Sequence, residues 1–283
     1  IVPLGGLGEV GKNMMSIEYG DDILIIDVGM MFPMTGMLGI DYILPDWDYL
    51  RDKKDRVRAA IITHGHMDHI GALSHFLEEF SVPIYATRLT RGLIEVQLQQ
   101  RDMLKHTTLH TMSPRDELEF GPFTVEPYHV CHSIPDTVGL GITTPEGLIV
   151  HSGDFKFDHT PVDGWPTDYA KLADFTGRGV MLLMSDSTNA DTPGRTVSEA
   201  ALYDAFHQIM REAPGRLIVA TFASLISRVQ QIVDVAAQHN RKIAVAGRSM
   251  VNNTAMAREL GYLDIPDEMI VRLHEVDKLP PNE

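Results

Sequence analysis

Short apolar runs that end on glycine, proline or acidic residues alternate with segments of helical spacing along this chain. Residues 14–19 and 22–29 read as early strands. Residues 59–63, Ala-Ala-Ile-Ile-Thr, are apolar and partly β-branched, which predicts a buried strand. Ile70, Leu73, Phe76, Leu77 and Phe80 then recur at helical spacing. Further apolar strands are expected at 148–154 and 181–186. Thr196-Val197-Ser198-Glu199 matches a capping box opening a helix to about Arg211, which Ala213-Pro214-Gly215 ends. Beyond it, 217–221 predicts a buried strand, and Ile226, Val229, Ile232 and Val233 form the inner stripe of a helix. Residues 242–247 predict one more strand. This rhythm suits a small α/β domain with a mostly parallel sheet, and 269–273 is strand-like as well.

The polar positions that interrupt this pattern are concentrated where strands end. His64-Gly65-His66-Met67-Asp68-His69 is an H-x-H-x-D-H run between the strand at 59–63 and the following helix. A strand-to-helix turn splays neighbouring side chains in different directions, as a single strand or helix cannot. His64 and His66 can then converge on one metal while Asp68 and His69 face a second. Imidazole with carboxylate suits zinc. Asp27, Asp154 and Asp186 each stand at or just past the end of an apolar strand, which points to one site assembled on one sheet edge. Between them His132 precedes Ile134-Pro135-Asp136, with His129 and Cys131 as competing donors. A G-x-G-x-x-G occurs at Gly6 to Gly11, but Met14 to Tyr19 follows it as a strand. A dinucleotide fingerprint needs a helix there, so a glycine-rich turn is expected instead.

Composition changes the picture little. The 283 residues are 44% hydrophobic and 22% charged, ordinary for a globular chain of one large or two modest domains. No apolar run approaches the ~20 residues of a membrane span. One cysteine precludes an internal disulfide and fits a reducing, cytoplasmic compartment. The net charge of −15 argues against a non-specific phosphate-backbone binder, although a metal centre supplies positive charge locally.

Taken together, Gly5 to Asn13, Asp27-Val28-Gly29 with Phe32-Pro33, His64 to Gly71, His132 to Asp136, Gly153 to Asp158 and Ser185 to Ala190 resemble one family. Thr221 to Ser224 with Arg228, and Gly247 to Met250, extend the likeness over nearly the whole chain. The chain resembles the ribonuclease J family, in the β-CASP branch of the metallo-β-lactamase superfamily. H-x-H-x-D-H alone marks only the superfamily; the combination with H-S-I-P-D and S-D-S-T-N-A is more specific.

The resemblance implies an α/β fold: a metallo-β-lactamase αββα-type sandwich over 1–195, then the first part of a β-CASP α/β domain over 196–283. It implies that His64, His66 and His132 hold one metal ion, that Asp68 and His69 hold a second, and that Asp154 bridges. Asp27 would orient a ligand imidazole from behind. Asp68 and Asp186 are candidate catalytic groups, and Ser133, Arg248 and Ser249 candidate substrate contacts. Two zinc ions are expected as cofactors, with manganese the alternative. RNA is the expected substrate, cut from the 5′ end or internally by a metal-activated hydroxide. A homo-oligomeric longer parent and no membrane association complete the expectation. In this family the chain returns to the lactamase-like domain with further histidines in an H-x-S-G-H-like segment. These 283 residues contain none, so the chain reads as an N-terminal half and a poor nuclease by itself. Two rivals stand: another hydrolase of the same fold (DNA nuclease, β-lactamase or thioesterase), or an inactive binding module.

Overall fold

The computed structural model describes residues 1–280, so the end of the expected second domain, 281–283, lies outside it. The chain forms two compact units. One comprises 1–132, 136–156 and 167–194; the other comprises 133–135, 157–166 and the chain from 195 onward.

The first unit holds two sheets. Strands β1 (Val2–Gly5), β2 (Met14–Tyr19), β3 (Asp22–Ile26), β4 (Val57–Ile61), β5 (Ile84–Ala86) and β6 (Leu109–Thr111) lie side by side in chain order. β1 to β3 are antiparallel, and β3 to β6 are parallel. The second sheet runs β7 (Leu118–Phe120), β8 (Phe123–His129), β9 (Val138–Thr144), β10 (Gly147–His151) and β11 (Val180–Met184), antiparallel except for the β10–β11 pair.

Strand alternation explains the sandwich. Leu24 and Ile26 of β3, with Ala59 and Ile61 of β4, meet Phe123, Val125, Leu140, Ile142 and Ile149 of the second sheet in one buried core. Ile23, Ile25 and Ala60 are equally buried, because both faces of this parallel part are covered. Helix α1 (Met67–Ile70) is a single turn; α2 (Leu73–Glu79) and α3 (Arg88–Gln99) follow, with α3 against β5 and β6. On the far side α4 (Tyr169–Arg178) presses Phe175 against Tyr128, Val130, Leu148 and Val150. The result is the expected αββα sandwich. The helix predicted across Ile70 to Phe80 forms in two pieces, with Gly71 and Ala72 between them. The glycine-rich segment is the link between β1 and β2, with no helix after it. Strand β11 is an apolar edge, with Met181 53% and Leu183 61% exposed.

In the second unit the helices form and the predicted strands do not. Ser198, rather than Thr196, caps the first: its hydroxyl accepts from Ala200 N–H, and a short 3-10 turn leads into α5 (Leu202–Glu212). α6 (Ile226–Gln238) buries Ile226, Val229 and Val233 as the stripe requires, and α7 (Arg248–Glu259) follows. Residues 217–221 make no ladder, and Ile218 is 97% exposed. Residues 242–247 and 269–273 contribute one isolated bridge, Ile243 to Ile270. β-propensity becomes a strand only where a neighbour supplies the ladder, and the described residues of this unit supply one bridge.

Candidate metal centre

The apolar strands β3 and β4 lie parallel, so both release their chains at the same end of the sandwich. β3 is followed at once by Asp27, in the left-handed region at φ 58°. That conformation is uncommon outside glycine, asparagine and aspartate, and it turns the carboxylate across to β4. There Asp27 Oδ1 accepts from Thr63 N–H at 2.8 Å, and Oδ2 accepts from the Thr63 hydroxyl at 2.9 Å. His69 Nδ1 lies 2.8 Å from the same Oδ2, and the Thr63 hydroxyl lies 3.1 Å from His64 Nδ1. With the hydroxyl proton committed to Asp27, Thr63 accepts from His64 Nδ1–H. Both imidazoles are thereby held as the tautomer whose Nε2 lone pair faces the cluster.

The turn at α1 is clamped from behind. Asn13 N–H donates to Asp68 O, Val28 N–H to His69 O and Met30 N–H to Met67 O. Gly29 permits this approach, since a Cβ there would overlap the Asp68 carbonyl oxygen.

Two donor groups result. His64, His66 and His132 offer ring nitrogens that all lie within 4.8 Å of one another; so do the ligand atoms of His64, His69 and Asp154. His66 Nδ1 stands 3.0 Å from His64 Nε2 and 3.1 Å from His132 Nε2. Nitrogens about 2.0–2.1 Å from a tetrahedral zinc are roughly 3.3 Å apart, so these spacings fit such an ion. Asp154 faces both groups: Oδ1 is 3.4 Å from His69 Nε2, while Oδ2 is 3.9 Å from His64 Nε2 and 3.8 Å from His132 Nε2. Asp68 Oδ2 is 3.7 Å from His69 Nε2, on the same side but outside either three-residue group.

The protonation states suit cations. Burial holds His64 well below its ordinary pKa, and burial with the neighbouring imidazoles lowers His66 to about 3. Burial lowers His132 to about 4, against the pull of Asp154. Asp154 is lowered to about 2, because hydrogen bonding and charge from His69 outweigh the burial that would raise it. Burial raises Asp68. His69 runs the other way: burial opposes its charge, but Asp27 and Asp154 raise it well above the ordinary value. A proton between those two carboxylates marks a place where positive charge is favoured.

The remaining expectations divide. The site does not stand on one sheet edge. Asp27 and the H-x-H-x-D-H turn come from the first sheet, whereas His132 and Asp154 follow β8 and β10 of the second. The sandwich brings both strand ends together, with Val138 N–H bonded to Thr63 O between the sheets. His129, buried inside β8, and buried Cys131 join neither donor group. Asp186 follows β11; its backbone N–H donates to Ser152 Oγ and its carboxylate caps Thr188 N–H at 2.8 Å, while its charge reaches His132. Ser133, Arg248 and Ser249 belong to the second unit, the latter two exposed in the first turn of α7. Thr63, Asn13 and His151 carry no sequence signal of their own. Thr63 reads as a β-branched strand end, and half-buried His151, whose Nδ1 accepts from Gly153 N–H, as one more strand residue.

Residues 33–166 match the family model described as "Beta-lactamase superfamily domain", and residues 214–283 match "Ribonuclease J, beta-CASP domain". Ribonuclease J of Synechocystis is 46% identical over 285 residues, covering 100% of this chain and 44% of that protein. Ribonuclease J2 of Bacillus subtilis and ribonuclease J of Thermus thermophilus are each 42% identical, with 51% and 50% of their lengths covered. The chain thus spans about half the length of these relatives, or somewhat less. A crystal structure of an Enterococcus faecalis protein of unknown function has a TM-score of 0.70 with this chain at 17% identity, covering 98% of this chain and 74% of that one. That likeness extends the fold alone. Whole-length identity of 42–46% and two domain matches in chain order make this a chain of the ribonuclease J family.

Proposed function

We propose that this chain carries the metal-binding machinery of a ribonuclease that hydrolyses RNA phosphodiesters with two divalent cations. The observation that carries the reading is Asp154, one carboxylate with an oxygen toward each donor group. In this reading His64, His66 and His132 hold one ion, Asp68 and His69 hold the other, and Asp154 is shared. Bound there, a pair of cations would supply Lewis acidity and a water deprotonated near neutral pH. The chain's own part is to keep His64, His66 and His132 unprotonated and to hold every donor aimed. Asp27 and Thr63 fix two ring tautomers, and the clamp on α1 fixes Asp68 and His69. Asp68, whose pKa burial raises, is also a candidate to position the attacking water or to pass a proton there. Asp186, beside Ser152 at the end of the second sheet, is a candidate for orienting that group.

Residues 1–195 serve in this reading as the lactamase-like domain and the rest as part of a β-CASP domain, with Ser133, Arg248 and Ser249 as phosphate contacts. Zinc is favoured over manganese by the imidazole-rich first group. A cytoplasmic location belongs to the same proposal. No helix among the described residues is long and apolar enough to cross a membrane. The names of the relatives support RNA over lactams, thioesters or DNA as the substrate of this reading. The test is cleavage of 5′- and 3′-labelled single-stranded RNA by the longer protein containing this chain, with added zinc or manganese. Loss of cleavage in His64→Ala and His66→Ala is expected, and unchanged cleavage in both would overturn the reading.

A further inference from the structure

The glycine-rich segment that precedes β2 enters the metal reading only through the backbone of its last residue, yet the side chain of that residue also stands against the second donor group. Asn13 is bonded twice through its backbone: its N–H donates to Asp68 O at 3.0 Å, and its C=O accepts from Gly29 N–H at 2.9 Å. Its side chain repeats the choice of partner. Nδ2 lies 3.2 Å from Asp68 O, 3.4 Å from Asp68 Oδ2 and 3.1 Å from His69 Nε2. Asp68 offers two acceptors, so the amide is oriented with its N–H groups inward. The glycines explain how Asn13 gets there. A Cβ on Gly5 would overlap the Lys12 carbonyl, and one on Gly6 would press on the Asn13 side chain. The segment folds back over itself as a tight glycine turn, which delivers Asn13 to the α1 turn.

We propose that Asn13 is a positioning residue for the second cation: its amide holds the Asp68 carboxylate and the His69 ring edge in the arrangement that receives the ion. This rests on the two-cation reading above. Asp68 needs such help more than the other donors. It stands 3.7 Å from His69 Nε2 and outside both three-residue groups, with its carboxylate partly exposed. His64 and His69 have Asp27 and Thr63 behind them; Asp68 has the Asn13 amide. Partners of this kind are worth about 10–100-fold in metal affinity.

The experiment is a zinc titration of the wild-type chain and of Asn13→Ala and Asn13→Leu, by calorimetry with chelator competition, beside metal content after dialysis. Both substitutions keep the backbone bonds and remove the amide. Wild type is expected to take up two ions. Each variant is expected to bind the second about 10–100-fold more weakly. The first affinity and the thermal midpoint of the ion-free chain should stay as in wild type. If wild type binds two ions and neither variant shifts the weaker one, the backbone contacts suffice and the inference is overturned alone. It is equally overturned if both affinities fall together with the midpoint, which marks a merely structural residue. A wild-type chain that takes up no second ion overturns the two-cation reading and this inference with it.

Discussion

Asp27→Asn probes the device on which the site depends most. The substitution is isosteric, and asparagine tolerates the left-handed φ of 58° as well as aspartate does, so the backbone is undisturbed. The hydrogen-bond pattern does not survive. Asp27 is 2% exposed and accepts from Thr63 N–H, the Thr63 hydroxyl and His69 Nδ1. The new amide can keep Thr63 N–H on its oxygen, which turns its NH₂ toward His69 Nδ1. That nitrogen must then accept, so the ring proton moves to Nε2, the atom that faces Asp68 and Asp154. Restoring the lone pair to Nε2 against this donor lowers affinity for the second ion by about 10–100-fold. That is roughly 1.4–2.7 kcal/mol, at about 1.4 kcal/mol per decade. Losing the charge-assisted bonds also destabilises the ion-free chain by about 1–2 kcal/mol. The assay is zinc competition against a chromophoric chelator, with long-range ¹H–¹⁵N correlations reporting the His69 tautomer. An unchanged second affinity, or a ring still protonated on Nδ1 in the variant, would refute the reasoning.

The donor grouping predicts that His132→Ala abolishes tight binding of the first ion, while His129→Ala leaves it largely intact; equilibrium dialysis decides, and the reverse result would sink the assignment. A pH dependence of stability follows from the same burial. His66 and His132 have folded pKa values of about 3 and about 4, below the ordinary His value of about 6.5, so the unfolded chain binds more protons between them. Their contribution is present above about pH 6.5 and is lost as pH falls toward 4. His69, with its raised pKa, contributes oppositely: its share is complete below about 6.5 and is lost as pH rises through its folded value. Urea unfolding of the chelator-treated chain should therefore show a midpoint falling from pH 6.5 to pH 4.5. His69→Gln should leave that fall in place and remove the part of the stability that wild type loses as pH rises above about 6.5, and a flat profile below pH 6.5 in both proteins would count against it.

How much of this was legible beforehand follows from where each property is encoded. Periodicity and turn chemistry are local. The strands read at 14–19, 22–29 and 59–63, which form at 14–19, 22–26 and 57–61, the helices after Ser198 and Leu225, and the dense H-x-H-x-D-H turn could all be read from neighbouring residues. The resemblance supplied what locality cannot, placing His132 and Asp154 with that turn across 62 and 84 or more intervening positions only as a pattern already seen elsewhere. Nothing local says that the site is made by two sheets rather than one. Strand ends of β4, β8 and β10 meet only because both apolar faces are buried against each other. Nor does a sequence show that Thr63 and Asn13 complete the site. A threonine ending a strand and an asparagine ending a glycine turn are ordinary until the fold sets their polar atoms beside Asp27, Asp68 and His69. The second unit shows the converse. Residues 217–221 carry strong β-propensity, but a strand is a relation between segments, and among the described residues the partners that would make it one are not in place.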